Sequence, residues 1–176
     1  MQYLYHFVPE NLQGKILYPL NVLKEKYPEA YSKHVKKYIG REKLLELKIP
    51  HLDCLWNDVI HLSAVDPKEV KQALVEAGMP EQFTMSFYVI DPSTLDPKYA
   101  IVYLYPDDRG VLDAKPEDFK PYNADTIGSY SHLPIATKEF YRAMYAQGKL
   151  PHMYHRVPHI FYKGSLDISD FPIITV

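Results

Sequence analysis

The spacing of apolar and polar residues changes several times along the chain, and each change marks an element. Residues 2–8 (Gln-Tyr-Leu-Tyr-His-Phe-Val) are aromatic or β-branched in the main and stop at Pro9, which reads as a short strand. The segment from Asn11 to Leu17 is expected to form a short helical stretch with Leu12, Ile16 and Leu17 inward. Over residues 20–38, Leu20, Leu23 and Tyr27 keep helical spacing, and Pro28 predicts an interruption where a second helix starts.

The clearest local signal spans residues 58–78. Asp58 to Val65 reads as a strand, after which Asp66 stands as an N-cap, Pro67 at the first helical position and Glu69 as the partner in a capping box. Val70, Ala73, Leu74 and Ala77 form the inward stripe, and Gly78 closes the helix where a positive φ costs little. Further strands are predicted at 84–90, ended by Asp91-Pro92, and at 99–105, ended by Pro106-Asp-Asp-Arg-Gly110. Residues 111–136 show no clear period and predict a long irregular excursion of the kind that often carries function. Thr137 is expected to cap a helix to about Gln147, with Phe140, Tyr141 and Met144 inward and Gly148 at its end. The last strands are expected at 157–163 and 172–176, with Gly164-Ser165 turning between them. No repeat or linker divides residues 1–176, so a single domain is expected. Strands precede and follow helices without regular alternation, which predicts an α+β fold with a mixed or antiparallel sheet flanked by helices.

Composition narrows the function classes. A chain of 176 residues is about one domain and buries roughly 70% of its unfolded surface. Its net charge of −2 excludes a global positive field that would draw nucleic acid or an anionic membrane. No apolar run approaches the ~20 residues needed to span a bilayer, so no membrane partner is expected. Cys54 stands alone, and the opening residues Met1 to His6 lack the features of a signal peptide; a cytoplasmic protein is expected. Sixteen tyrosines suit half-buried surfaces and pocket walls, and fifteen prolines predict short segments joined by stiffened loops.

Charge is concentrated in one stretch. Between Ser32 and Lys48 lie Lys33, His34, Lys36, Lys37, Arg41, Lys43 and Lys48, offset by Glu42 and Glu46. A solvated helical face is the simpler reading, and a phosphate-contacting patch on a nucleotide or partner is the sharper one.

Familiar phosphate-binding glycine loops, nucleophile elbows and zinc helices are missing. Cys54 reads as a small core residue. His152, His155 and His159 cluster in sequence, but Pro151 and Pro158 argue against a helix that would align them, so they read as hydrogen-bonding histidines and no metal site is assigned. Asp91, Asp107 and Asp108 fit turn chemistry. Trp56-Asn57-Asp58, ahead of a strand, either caps a pocket or closes a loop. His6 differs, because it lies mid-strand among apolar neighbours, where a polar ring is costly without a partner.

Leu4-Tyr5-His6-Phe7, followed by Asn11-Leu12 and Ile16-Leu17, resembles the opening of ADP-ribosyltransferase-fold proteins, closest to the DNA-targeting toxins and more distantly to RNA 2′-phosphotransferases. The resemblance implies that His6 hydrogen-bonds the NAD ribose and that Tyr5, Tyr88 or Tyr103 stacks on nicotinamide. It puts His61 or Ser63 beside the nicotinamide, and it matches the stretch from His159 through Ile173 to Val176 to a closing hairpin. NAD is the implied cofactor and nucleotide ligand, and the acceptor is a nucleic acid or a protein. One departure stands out: His159 falls where the family usually places a catalytic glutamate, which implies altered or lost transfer. His6 and His159 are the candidate catalytic residues, and Tyr5, His6, His61 and Ser63 the candidate cofactor contacts. Two other readings stay open. The chain is otherwise a binding domain engaging a protein through its tyrosines and residues 111–136, or an unrelated small-molecule enzyme using His61, Asp58 or the histidine cluster.

Overall fold

A computed structural model describes residues 2–10, 12–106 and 108–176; the expectations placed on Asn11 and Asp107 lie outside the described residues. The chain begins with β1 (Leu4–Phe7), β2 (Ile16–Leu17), α1 (Leu20–Lys26) and α2 (Pro28–His34). Two short 3-10 turns follow, Val35–Tyr38 and Glu42–Glu46, leading to β3 (Lys48–Ile49), β4 (Cys54–Leu55) and β5 (Ile60–Leu62). The remainder is α3 (Pro67–Ala77), β6 (Ser86–Ile90), β7 (Ala100–Tyr103), β8 (Phe119–Pro121), α4 (Ile135–Ala146), β9 (His159–Tyr162), β10 (Leu166–Asp167) and β11 (Ile173–Thr175). The fold is α+β, and the described pairings are antiparallel.

The strands form two main sheets where one was expected. One sheet runs β5-β9-β7-β8, and the other runs β1-β6-β11. Among the described residues, their backbones meet at one antiparallel bridge between Tyr5 and Ser63, where Tyr5 N–H donates to Ser63 O at 2.8 Å and Ser63 N–H to Tyr5 O at 3.1 Å. Beyond the bridge the strands diverge. Two apolar clusters pack against the four-stranded sheet, one holding Leu62, Val102 and Ile160 together with Leu4 and Ile90 of the other sheet, the other holding Trp56, Tyr103 and Phe161. A third lies between the three-stranded sheet and helices α3 and α4, around Phe87, Leu74 and Tyr141.

Strong local signals match the observed elements. The helix breaks at Pro28. Asp66 caps α3, but its carboxylate accepts from Lys68 N–H at 2.8 Å, and Glu69, expected in a capping box, pairs with Lys138 at 3.1 Å instead. Gly78 adopts φ 125 at the end of that helix, as its position requires.

Elsewhere the fold departs from expectation. Ile16–Leu17 is a strand, because Leu166–Asp167 offers it a ladder. Residues 111–136 contribute β8, whose Phe119 pairs with Tyr103, together with 3-10 turns. Helix α4 starts at Ile135, so Thr137 lies inside its first turn, fully buried, and its hydroxyl donates to His155 O at 2.9 Å. The two last long strands form no hairpin: β9 belongs to the four-stranded sheet and β11 to the other. Among the described residues, no helix is long and apolar enough to cross a membrane.

Candidate functional site

Where β1 and β5 part, a cleft of about 560 Å³ opens between the sheets, a size typical of small-ligand sites. Tyr5, His6, His61, Ser63 and His159 all border it. They come from three strands far apart in sequence, and the bridge at Tyr5 and Ser63 sets how closely β1 and β5 approach.

The three imidazoles are fixed in tautomer by their backbone partners. His6 Nδ1 lies 2.6 Å from Phe7 O, and His159 Nδ1 lies 2.6 Å from Val157 O. A carbonyl only accepts, so both Nδ1 atoms carry the hydrogen and both Nε2 atoms keep a lone pair. His61 is the reverse, with Nε2–H donating to Trp56 O at 2.9 Å and Nδ1 left as the acceptor. Burial lowers His6 and His159 to about 4. Burial, followed by the neighbouring His159, lowers His61 well below the ordinary imidazole range. At neutral pH the cleft therefore presents three uncharged hydrogen-bond acceptors. None of those free nitrogens is among the polar atoms buried without a partner.

The rings are held by edge and tilted contacts. His61 and His159 lie 6.0 Å apart at 86°, and His61 packs on Phe161 and Trp56 at 4.7 and 5.1 Å. Among the described residues no group of three or more His, Cys, Asp and Glu side chains is placed to hold a metal ion. The acceptors are spread along a wall, an arrangement suited to a molecule with several hydroxyl or amide donors.

Two lysines add positive charge to the same cleft. Lys33, His34 and Lys37 border the cleft, with Glu10 as the one carboxylate beside them among the described residues. Lys37 lowers the pKa of both His6 and His61 by its charge, and its own pKa is lowered by burial and by Arg41. Among the described residues, the ion pairs join Arg109 to Asp108 and Asp118 and Lys138 to Glu69, and leave both lysines without a carboxylate. The basic run thus reaches the cleft at two lysines, besides presenting a solvated face. Lys37 Nζ lies 5.2 Å over the Tyr38 ring, and lysines without a carboxylate beside acceptors suit an anionic ligand that also carries hydroxyls.

Other candidates take different places. The Tyr5 ring packs into the cluster around α3, Tyr88 is 5% exposed and Tyr103 is fully buried, so none offers an open face for stacking. Tyr154 lines the cleft 6.3 Å from His159 and offers an aromatic wall in their stead. Ser63 is buried and its oxygen accepts from Val65 N–H at 3.1 Å. Cys54 is buried and its thiol is pushed up to about 11, which leaves it protonated and inert. The Asp58 carboxylate is occupied by Asn21 and Leu55 N–H, both at 2.7 Å. The His155 ring lies 4.0 Å from that of Phe140, tilted by 33°, with its Nδ1 3.4 Å from the Tyr105 hydroxyl.

A smaller chamber of about 150 Å³ adjoins the cleft and shares His6, Pro9, His34, Lys37 and His61 with it. Asn57 lines it, so the Trp56-Asn57-Asp58 turn borders a pocket as well as closing a loop. Comparison with family models, curated proteins and solved structures returns no match.

Proposed function

We propose that this chain binds NAD in the cleft between its sheets as an ADP-ribosyltransferase-like protein whose transfer activity is altered or lost. One observation carries the reading. The residues that the family resemblance assigns to the NAD site, on the first strand, the second strand and the start of a late strand, border one cleft of about 560 Å³. The ligand matches the lining of the cleft in chemical type. Ribose hydroxyls donate to the bare nitrogens of His6 and His159, and the pyrophosphate lies against Lys33 and Lys37.

The chemistry turns on His159. Loss of nicotinamide builds positive charge at the ribose anomeric carbon, and a nearby carboxylate stabilises it. His159 is neutral, so its Nε2 accepts a hydrogen bond from a hydroxyl but adds no negative charge. Such a site holds the dinucleotide and cleaves it slowly.

The test is thermal unfolding with and without NAD, with free nicotinamide assayed in the same samples. NAD at about 100 times its dissociation constant adds ~2.7 kcal/mol. For this size that raises Tm by roughly 5–10 °C. His6→Ala should abolish the shift, and His159→Glu should raise nicotinamide release above the parent. No shift at millimolar NAD removes the reading.

A further inference from the structure

We propose that the inner chamber beside His6 and His61 is a pocket for a flat heteroaromatic ring, whose acceptor atom takes a hydrogen bond from Asn57 Nδ2. The proposal rests on the dinucleotide reading and says where one of its two ring ends goes.

Three observations support it. The chamber measures about 150 Å³, and an apolar cavity of about that volume holds one six-membered ring. Its walls are mostly apolar or aromatic: Leu17, Leu23, Ala30 and Val59 with Tyr18 and Tyr27, whose rings lie 6.3 Å apart at 44°. Asn57 then supplies one polar atom. The residue is 2% exposed, its Oδ1 accepts from the Tyr38 hydroxyl at 2.5 Å, and its backbone oxygen accepts from Asn21 N–H at 3.0 Å.

Those bonds fix the amide and leave Nδ2 over. It is buried without a partner. The other such atoms among the described residues, the hydroxyls of Tyr103 and Tyr145, belong to residues outside the chamber. A fully buried amide donor is costly to leave unpaired, and a ring bearing a carbonyl or an unprotonated ring nitrogen completes it. Lys37, His6 and His61 border both spaces, so a ring in the chamber leaves its ribose at the imidazoles and its phosphate at the lysine. The pyridine carboxamide and the adenine of NAD both have this chemistry.

Calorimetric titrations of NAD, nicotinamide mononucleotide and AMP distinguish the two ends. They are run on the parent, on Asn57→Asp, which keeps the acceptor for Tyr38, and on Ala30→Leu, which fills the chamber from α2. NAD affinity should fall at least tenfold in both variants, with the same loss for the one mononucleotide whose ring enters. Saturation-transfer NMR of NAD on the parent needs no variant, and it should show one ring more strongly saturated than either ribose. NAD affinity within twofold of the parent in both variants, with His6→Ala still abolishing binding, overturns the chamber and leaves the cleft reading standing. Riboses saturated as strongly as both rings overturn it as well. Failure of the parent to bind NAD removes the cleft reading and the chamber with it.

Discussion

Each of His6, His61 and His159 gives its one N–H to a backbone carbonyl, which favours the protonated ring, but burial outweighs that bond and makes the site sensitive to acid. The folded pKa of His6 and of His159 is lowered to about 4, chiefly by burial, against about 6.5 in the unfolded chain. Above pH 6.5 both states are neutral and the stability is fully present. From there down to about 4 the unfolded chain takes up protons that the folded chain refuses, so stability falls with pH. The urea midpoint should therefore drop between pH 7.5 and pH 5, and by less in a His6→Gln, His159→Gln double variant. An equal drop in parent and variant places the acid sensitivity in other groups. His6 was legible in sequence because a polar ring among apolar neighbours needs a reason. Asn57 is legible only within a turn that either caps a pocket or closes a loop, and Lys37 only within a basic run that is either a solvated face or a phosphate-contacting patch, since nothing in a loop asparagine or in one lysine among seven basic residues tells which faces a cleft.

The elements that place His159 are α4 and the loop before β9. Thr137 and Tyr141 on that helix donate from their hydroxyls to the carbonyls of His155 and Met153, tying the loop from two points. Thr137→Val keeps the shape and leaves the His155 carbonyl unpaired, which should cost about 1–3 kcal/mol by urea denaturation. Thr137→Ser, which keeps the hydroxyl, should cost less, and equal losses would show that the methyl's packing matters more than the bond. Thr137 looked like a cap in sequence because its type suits that position; Pro134 starts the helix in its place and accepts no side-chain bond. The same limit explains Ile16–Leu17. Its apolar pair suited a helix, and only the distant Leu166–Asp167 makes it a strand.

At the scale of the molecule, the α+β class followed from the order of elements, whereas the division into two sheets did not. Strand pairing is non-local: β9 inserts between β5 and β7, and β11 crosses to the far sheet, choices that no periodicity records. Among the described residues, one backbone bridge joins the sheets, with two hydrogen bonds at Tyr5 and Ser63, and Leu4, Tyr88 and Ile90 share an apolar cluster with Leu62, Val102 and Ile160 across the join. Separating the sheets there breaks both hydrogen bonds and parts the shared cluster, so solvent exchange at those two amides reports on that opening. The protein thus carries its own clock for cleft opening, readable in deuterium without a label or a substrate. A molecule held by residues of both sheets slows that clock. Exchange at Tyr5 and Ser63 should slow when NAD is added, while the Met85 and Val176 amides, paired at the opposite edge at 3.0 and 2.9 Å, keep their rates.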